Sequence, residues 1–488
     1  MPSDLLAGIP ALRQLTLKGN FPALPVDLLD SLSQLRSLTI EGWEVGTSPY
    51  SRYPDPWSFS LDEIPTALLR PVPRLEKLVL RGNFRELPTT FLAATPRLQH
   101  LELRGGSLPP ASRLPGLLAH TPALRHLTLA GWDLLELPAI LLQGVPQLQS
   151  LHLQLEERTA KSVAPTGIRV PPRLLAPTPQ LRELILFWEV LAEDGLPADL
   201  LTHVPHLRSL RMPYLPSADF LRPVPELKAL QLDTAYFLSP AVLAHTFRLQ
   251  VLHLKDLRYS EYAEVDLLQP LSALTTLSLI VHRRPDLLAH TPHLTSLNLE
   301  LRGDTLLPAD LLAHSPHLTS LTLKTDDDTS LPVDLLTDTP HLTSLTLKAS
   351  GLQTIPENLL APTPHLNSLA IHYASLTELP PALLEPVPLL QHLELNLRGL
   401  RTSPAAWLEP GSFPPRLERF NRGWTIRSAD MYPHAHTPYP YQARRQVLGW
   451  INSSQFRPTP PSADEVAALQ DLLLRYPYLD AREGIVLR

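Results

Sequence analysis

The sequence of 488 residues contains no cysteine. Disulfide bonds, thiolate metal ligands and a cysteine nucleophile are therefore excluded. Because secreted domains commonly depend on disulfides, the absence predicts a reducing, cytoplasmic location. A bacterial protein that is secreted without cysteines remains an alternative.

Long apolar and long basic stretches are also missing. No apolar run reaches the roughly 18–20 residues that a transmembrane helix needs. The N-terminal sequence MPSDLLAGIPALRQ lacks the basic segment of a secretory signal. The net charge is −6 at pH 7, and no run of basic residues occurs. The sequence therefore predicts neither a membrane nor a nucleic acid as partner.

Signatures of catalysis are missing as well. The sequence has no GxxxxGK[ST] phosphate-binding loop, no GxSxG elbow and no HExxH zinc motif. After the last repeated segment described below, the remaining chain is short for an independent catalytic domain. We therefore predict a protein that is not an enzyme and has no cofactor.

A leucine pattern, LxxLxL, is present in seventeen copies. The five copies that begin at residues 294, 318, 342, 366 and 390 are spaced 24 residues apart. Eleven copies precede them, and a decayed copy, LERFNR, follows at 417–422. The alternation in LxxLxL is typical of a β-strand. The segment between copies usually reads LPxDLLxxTPxL, and its proline favours a short helix or 3₁₀ turn.

This pattern resembles that of the leucine-rich-repeat family. The resemblance implies an α/β fold: a solenoid with a curved parallel sheet on the concave face and short helical or 3₁₀ turns on the convex face. It also implies a binding function, since stacked repeats build an extended surface. Members of the family that are bacterial ubiquitin ligases use a catalytic cysteine, which this chain lacks. Much proline, leucine, alanine and arginine with little lysine suggests a bacterial source.

The repeats predict two regions. Residues 1–416 are expected to form the solenoid, with about 16 repeats and with insertions near 45–63 and 156–170. Residues 417–488 are expected to form a C-terminal cap or tail with a final helix near 463–476, because Ser462 to Glu465 reads as a capping box. Many aromatic residues between 424 and 441 favour a docking module as the alternative.

The residues between the strand leucines are expected to face the concave side. In the C-terminal half they are small and neutral, such as Ser320 and Thr322. In the N-terminal half they are richer, and we take as candidate partner-binding residues Lys77, His100, Glu102, Arg104, His126, His152 and Arg211. Neighbouring imidazoles with a carboxylate could hold a divalent metal. An ordinary polar binding face is the preferred interpretation, and no metal is predicted.

The insertion near 45–63 supplies four further candidates, Tyr50, Tyr53, Trp57 and Phe59. Insertions in repeat proteins often carry binding contacts, and tyrosine and tryptophan are common interface hot spots. The alternative is a loop that folds back and packs Trp57 against the solenoid.

Together these features predict a non-catalytic scaffold for protein–protein interaction. Its partner, of unknown identity, would bind the concave sheet face and the aromatic insertion. Two alternatives remain: an effector secreted into a host, and a subunit whose first repeat docks onto a larger assembly.

Overall fold

We describe the protein from a computed structural model. The structure describes residues 6, 8–19, 21–42, 61–83, 87–107, 112–132, 137–156, 169–188, 196–234, 238–255, 266–281, 285–302, 307–325, 331–349, 354–373, 379–397, 419–424 and 483–487. The chain divides into two compact units, Met1–Leu249 and Gln250–Arg488.

The first unit is a parallel sheet with one strand from each repeat. Its described strands are β1 (Gln14–Gly19), β3 (Ser37–Gly42), β5 (Lys77–Asn83), β6 (His100–Ser107), β7 (His126–Trp132), β8 (Ser150–Glu156), β9 (Glu183–Trp188), β10 (Ser209–Met212) and β11 (Ala229–Leu232). Each pairs in parallel with the next of these strands. The shorter strands β2 (Phe21–Ala23) and β4 (Leu61–Glu63) form a separate parallel pair.

The second unit repeats this arrangement. Its strands are β12 (Val251–Leu254), β13 (Thr276–Val281), β14 (Ser296–Leu301), β15 (Ser320–Thr325), β16 (Ser344–Ala349), β17 (Ser368–Tyr373), β18 (His392–Leu397), β19 (Arg419–Trp424) and β20 (Glu483–Leu487). The decayed repeat supplies β19, which pairs in parallel with β18. Strand β20 then pairs with β19 in the antiparallel direction. The helix expected near 463–476 lies outside the described residues.

Leucine alternation explains the core. In β14, for example, Leu297, Leu299 and Leu301 are each 1% exposed, while the residues between them are at the surface or half-buried. Register matches leucine to leucine between neighbouring strands, as in Leu297 with Leu321. The leucines therefore stack in continuous rows inside each unit, as the sequence predicts.

The segments that return between strands are mainly turns rather than helices. Each contains successive backbone bonds from N–H(i+3) to C=O(i), such as Leu311 to Pro308 and Ser315 to Leu312. Short helices occur at α1 (Leu114–Leu118) and α2 (Pro240–Leu243), and 3₁₀ turns at Leu200–His203, Ala244–Thr246 and Pro285–His290. Proline near both ends of many of these segments removes donors and disfavours helical geometry at the preceding residue. Most of the described segments are therefore too short to continue into a helix.

Threonine is buried at one position of many return segments, the T of LLxxTP. Seven such side chains are at most 2% exposed and donate their hydroxyl to the carbonyl three residues earlier: Thr95, Thr121, Thr178, Thr246, Thr291, Thr339 and Thr363. Valine occupies this place in other repeats, such as Val145. The sequence pattern gave no indication that this threonine belongs to the core.

Glycine takes the third inward position in β1, β3, β5, β6 and β7 of the first unit. Gly19 pairs with Gly42, and Gly105 pairs with Gly131. A Cβ added to Gly105 would overlap the backbone carbonyl of Gly82. A side chain at Gly105 therefore does not fit unless the ends of β5 and β6 move apart.

The two predicted insertions lie mostly outside the described residues. Of the first, residues 61–63 form β4 beside β2. The second returns at Arg169, whose carbonyl accepts a hydrogen bond from the backbone N–H of Leu137 (3.5 Å).

Candidate partner-binding surface

One face of the first unit's sheet is built from the outward strand positions. We call it the unit 1 sheet face, and it comprises residues 1, 3 and 5 of each strand. Strand pairing places Lys77 opposite His100 and His100 opposite His126. The two imidazole centroids lie 5.7 Å apart with their planes tilted by 40°. The neighbours that the sequence predicts are therefore neighbours in the fold.

Five charged side chains form a continuous ion-pair network on this face. Glu41 bridges Lys18 Nζ and Arg81 Nη1, both at 2.8 Å. Glu102 bridges Arg81 Nη2 and Arg104 Nε, both at 3.2 Å. The network crosses β1, β3, β5 and β6, and each carboxylate is shared by two cations. Its two glutamates are only 16% and 15% exposed, so the cations lie nearer the solvent.

Three members of this network were missed by the sequence analysis: Lys18, Glu41 and Arg81. All three occupy the fifth residue of their strand, as Arg104 does. A charged residue at that position in four successive repeats was the available signal. The spacing of about 4.8 Å between strands brings such residues into contact.

Burial and neighbouring charge hold two histidines neutral. Burial of its ring, followed by the charges of Lys77 and His126, lowers the pKa of His100, with Glu102 opposing the shift.

The second of these histidines is His152. Burial of its ring, then the charges of Arg104 and Arg211, lowers its pKa, with Glu102 and Glu183 opposing the shift. At neutral pH the His100 and His152 rings are each able to donate one hydrogen bond and accept another.

The far side of the face carries the remaining candidate. Glu183 accepts a hydrogen bond from Ser150 Oγ (2.7 Å). Arg211 lies opposite Ile185 on β9. Its Nε atom is buried and has no hydrogen-bond partner among the described residues. The structure thus brings six polar candidates from Lys77 to His152 onto adjacent strands and places Arg211 two strands beyond.

The corresponding face of the second unit carries more charged residues than the sequence analysis expected. Ser320, Thr322 and their equivalents face outward, but the fifth strand position adds Glu300, Lys324 and Lys348. Glu300 contacts Arg302 Nε (2.7 Å) and Lys324 Nζ (3.0 Å). Burial alone would raise the pKa of Glu300, but hydrogen bonds from these two cations bring it below its ordinary value.

The aromatic candidates Tyr50, Tyr53, Trp57 and Phe59 lie outside the described residues. Within the described part of the chain, no group of three or more histidine, aspartate or glutamate side chains could hold a metal ion. No described helix has the length and apolarity to cross a bilayer.

Comparison with known proteins shows likeness in fold only. No protein-family model matches the sequence, and no curated protein matches it. A chain of the glycosylated Toll–Spatzle complex of Drosophila is similar in structure, with a TM-score of 0.50 and 17% identity over 81% of this chain and 52% of that one. This chain thus spans about half of that relative.

Two further structures are similar. A leucine-rich-repeat protein of Leptospira interrogans has a TM-score of 0.47 and 17% identity over 91% of this chain and 96% of its own. A chain of the TLR13–ssRNA13 complex has a TM-score of 0.46 and 17% sequence identity over 80% of this chain and 61% of that chain. The repeated leucines, the parallel strands they build and the likeness to the Drosophila complex show that this chain has the leucine-rich-repeat fold.

Proposed function

We propose that the chain is a non-catalytic protein-binding module and that its partner docks on the unit 1 sheet face. The observation that carries the proposal is the network from Lys18 to Arg104, which runs unbroken over four adjacent strands. A face made of one aligned strand per repeat presents its side chains at fixed intervals to a partner.

The network lowers the cost of binding. Arg81 contacts both bridging glutamates, so its long side chain is already ordered before a partner arrives. Ordering a flexible side chain at an interface costs about 0.5–1.5 kcal/mol. Holding Arg81 and Arg104 in place removes part of that cost and leaves guanidinium N–H groups to donate to partner carboxylates or carbonyls.

The neutral histidines complete the recognition chemistry. His100 and His152 are half-buried rings with both apolar and polar contacts to offer. The arginines beside them suit a protein interface, where arginine, tyrosine and tryptophan supply much of the binding energy. A protein partner is therefore preferred over a nucleic acid.

The aromatic insertion is included in the proposal as a second contact. Tyr53, Trp57 and Phe59 follow β3 in the sequence, and Glu41 of β3 belongs to the network. The location and source of the protein are also proposed from sequence alone: a bacterial cytoplasm, since the chain has no cysteine.

The test is affinity capture from the source organism with three proteins: the wild type, a unit 1 variant and a matched unit 2 variant. The unit 1 variant is His100→Ala/His126→Ala/His152→Ala. The matched variant is His253→Ala/His372→Ala/His392→Ala, which removes the same side chains from outward strand positions of the other unit. All three must show the same thermal unfolding before capture.

We expect a stoichiometric protein that the wild type and the unit 2 variant retain and the unit 1 variant loses. A partner lost only by the unit 2 variant would refute the assignment to unit 1. A further variant, Tyr53→Ala/Trp57→Ala/Phe59→Ala, tests the insertion separately. Undiminished capture by that variant would restrict the site to the sheet face.

A further inference from the structure

A second charged surface lies where the strands begin. The relevant residues flank the first leucine of each repeat, one before it and one after it. In the nine repeats that start at residues 12 to 227 this strand-start edge carries eight exposed cations: Arg13, Arg36, Arg74, Arg97, Arg125, Arg182, Arg208 and Lys228. It carries only two carboxylates, Glu76 and Glu226. A ninth cation, Arg248, precedes Leu249 at the end of the first unit.

Backbone hydrogen bonds stack these positions from one repeat to the next. The N–H of Arg36 donates to the carbonyl of Arg13 (2.8 Å), and the same bond recurs along the edge to Lys228, whose N–H donates to Arg208 (2.8 Å). Side chains of neighbouring repeats are also in contact along this edge. Arg36 Nη1 lies 3.1 Å from Glu76 Oε1, and His206 Nδ1 lies 3.5 Å from Glu226 Oε1. Six of the eight cations therefore lie at stacked positions of one row, and Arg74 and Arg97 flank it on the other side of the leucine.

The row is specific to the first unit. In the six repeats of the second unit that start at residues 274 to 390, the equivalent positions contain no arginine, lysine, aspartate or glutamate. Threonines occupy four of these positions. The hydroxyls of Thr319 and Thr343 each donate a hydrogen bond to a backbone carbonyl of the preceding repeat. A chain with a net charge of −6 thus concentrates positive charge on one edge of one unit.

Three adjacent members of the row form no ion pair with a described acid. Arg182, Arg208 and Lys228 follow one another on consecutive repeats, about 4.8 Å apart at the backbone. None of them makes a side-chain hydrogen bond or ion pair with a described residue. Like charges at this spacing repel each other, and an anionic ligand relieves that repulsion.

We propose that the strand-start edge of the first unit binds an acidic protein segment, rich in aspartate and glutamate, that lies along the row. An extended segment advances about 3.3 Å per residue, so a few residues span the three unpaired cations. A single-stranded nucleic acid fits less well. The eighteen residues of this edge include no phenylalanine, tyrosine or tryptophan on which bases could stack. This surface is separate from the unit 1 sheet face, and the proposal does not depend on it.

The experiment uses the full chain and a fluorescent poly-glutamate peptide as probe. The edge variant is Arg182→Gln/Arg208→Gln/Lys228→Gln. The matched control is Arg70→Gln/Arg173→Gln/Arg222→Gln, which makes the same change in charge at three exposed return-segment residues of the same unit. All six side chains are exposed, so both variants are expected to fold, and matching thermal unfolding verifies this.

We expect the peptide to bind the wild type and the control variant equally. The edge variant loses three exposed ion pairs with the peptide carboxylates, which should weaken peptide binding about tenfold. Binding should also weaken with added salt, and a polyglutamine peptide should not bind. Equal loss of peptide binding in both variants, or no binding to the wild type, would overturn the proposal.

A single-stranded RNA of matched charge is the second probe. If the wild type bound this RNA more tightly than the peptide and the edge variant lost that binding, the choice of a protein segment would be overturned. The triple histidine variant of the sheet face should bind the peptide normally, which separates this result from the proposed function.

Discussion

Arg81 Nη2 lies 3.2 Å from the carboxylate of Glu102 on the neighbouring strand. Its other terminal nitrogen lies 2.8 Å from Glu41, so one guanidinium joins two half-buried acids. The bidentate geometry of arginine suits this role, and lysine would supply a single point of contact. Arg81 is therefore the centre of the ion-pair network on the unit 1 sheet face.

Arg81→Met should destabilise the first unit by about 1–2 kcal/mol, because two carboxylates that are 16% and 15% exposed lose a shared cation. Urea unfolding monitored by circular dichroism measures the change. Arg70→Met is the control, since Arg70 is exposed on a return segment. If both variants unfold alike, the network contributes nothing beyond an ordinary surface charge.

The repeat itself was predictable because leucine alternation reports directly on burial. Leu297 and Leu321 face inward and pair in register, as the pattern requires. Thr339 was not predictable as a core residue, because threonine carries a polar hydroxyl. Burial of that hydroxyl is tolerated because the carbonyl of Leu336 accepts its hydrogen bond. The network of Arg81 was missed for a different reason. Its members are 21 and 40 residues apart, so only the alignment of repeats by strand position brings them together.

The same reason explains the strand-start edge. A search for a run of basic residues does not find the row, because each repeat contributes at most one cation to it and the intervening residues separate these cations in the sequence. Aligning Arg182 with Arg208 and Lys228 by their repeat position would have revealed it. The aromatic insertion had no comparable periodic signal, and Tyr53 and Trp57 stay sequence-based candidates.

Gly105→Ala should destabilise the first unit by about 1–3 kcal/mol, since a methyl group there overlaps the carbonyl of Gly82 and the strands must separate to admit it. The midpoint of urea unfolding measures the effect. Gly8→Ala is the matched control, because a Cβ at Gly8 would have no atom within 4 Å. A Gly105→Ala variant as stable as the control would show that the strand ends yield without cost.

Thr339→Val should change the stability of the second unit by less than about 1 kcal/mol. The carbonyl of Leu336 loses the threonine hydroxyl but keeps the backbone N–H of residue 339 at 3.0 Å, and valine already fills this place at Val145. Thr339→Ala should cost more, because it leaves a void in a site that is 0% exposed. Comparing the two substitutions by thermal unfolding isolates packing from hydrogen bonding. If Thr339→Val destabilised the protein more than Thr339→Ala, the hydrogen bond of the hydroxyl would contribute more to stability than packing does.

Stability of the first unit should fall as the pH drops below about 6.5, the ordinary pKa of histidine. The pKa values of His100 and His152 are lowered in the folded chain, chiefly by burial of their rings. The unfolded chain therefore binds protons more readily than the folded chain in this range. The stabilisation from the neutral rings is fully present above pH 6.5 and is lost as the pH falls towards the folded pKa values. Urea unfolding between pH 7.5 and pH 5, above the ordinary range of carboxylates, should show a shallower decline for His100→Gln/His152→Gln than for the wild type. The matched variant His203→Gln/His314→Gln alters two exposed histidines and should follow the wild type. Identical declines in all three proteins would mean that protonation of these two buried rings does not limit the acid stability of the fold.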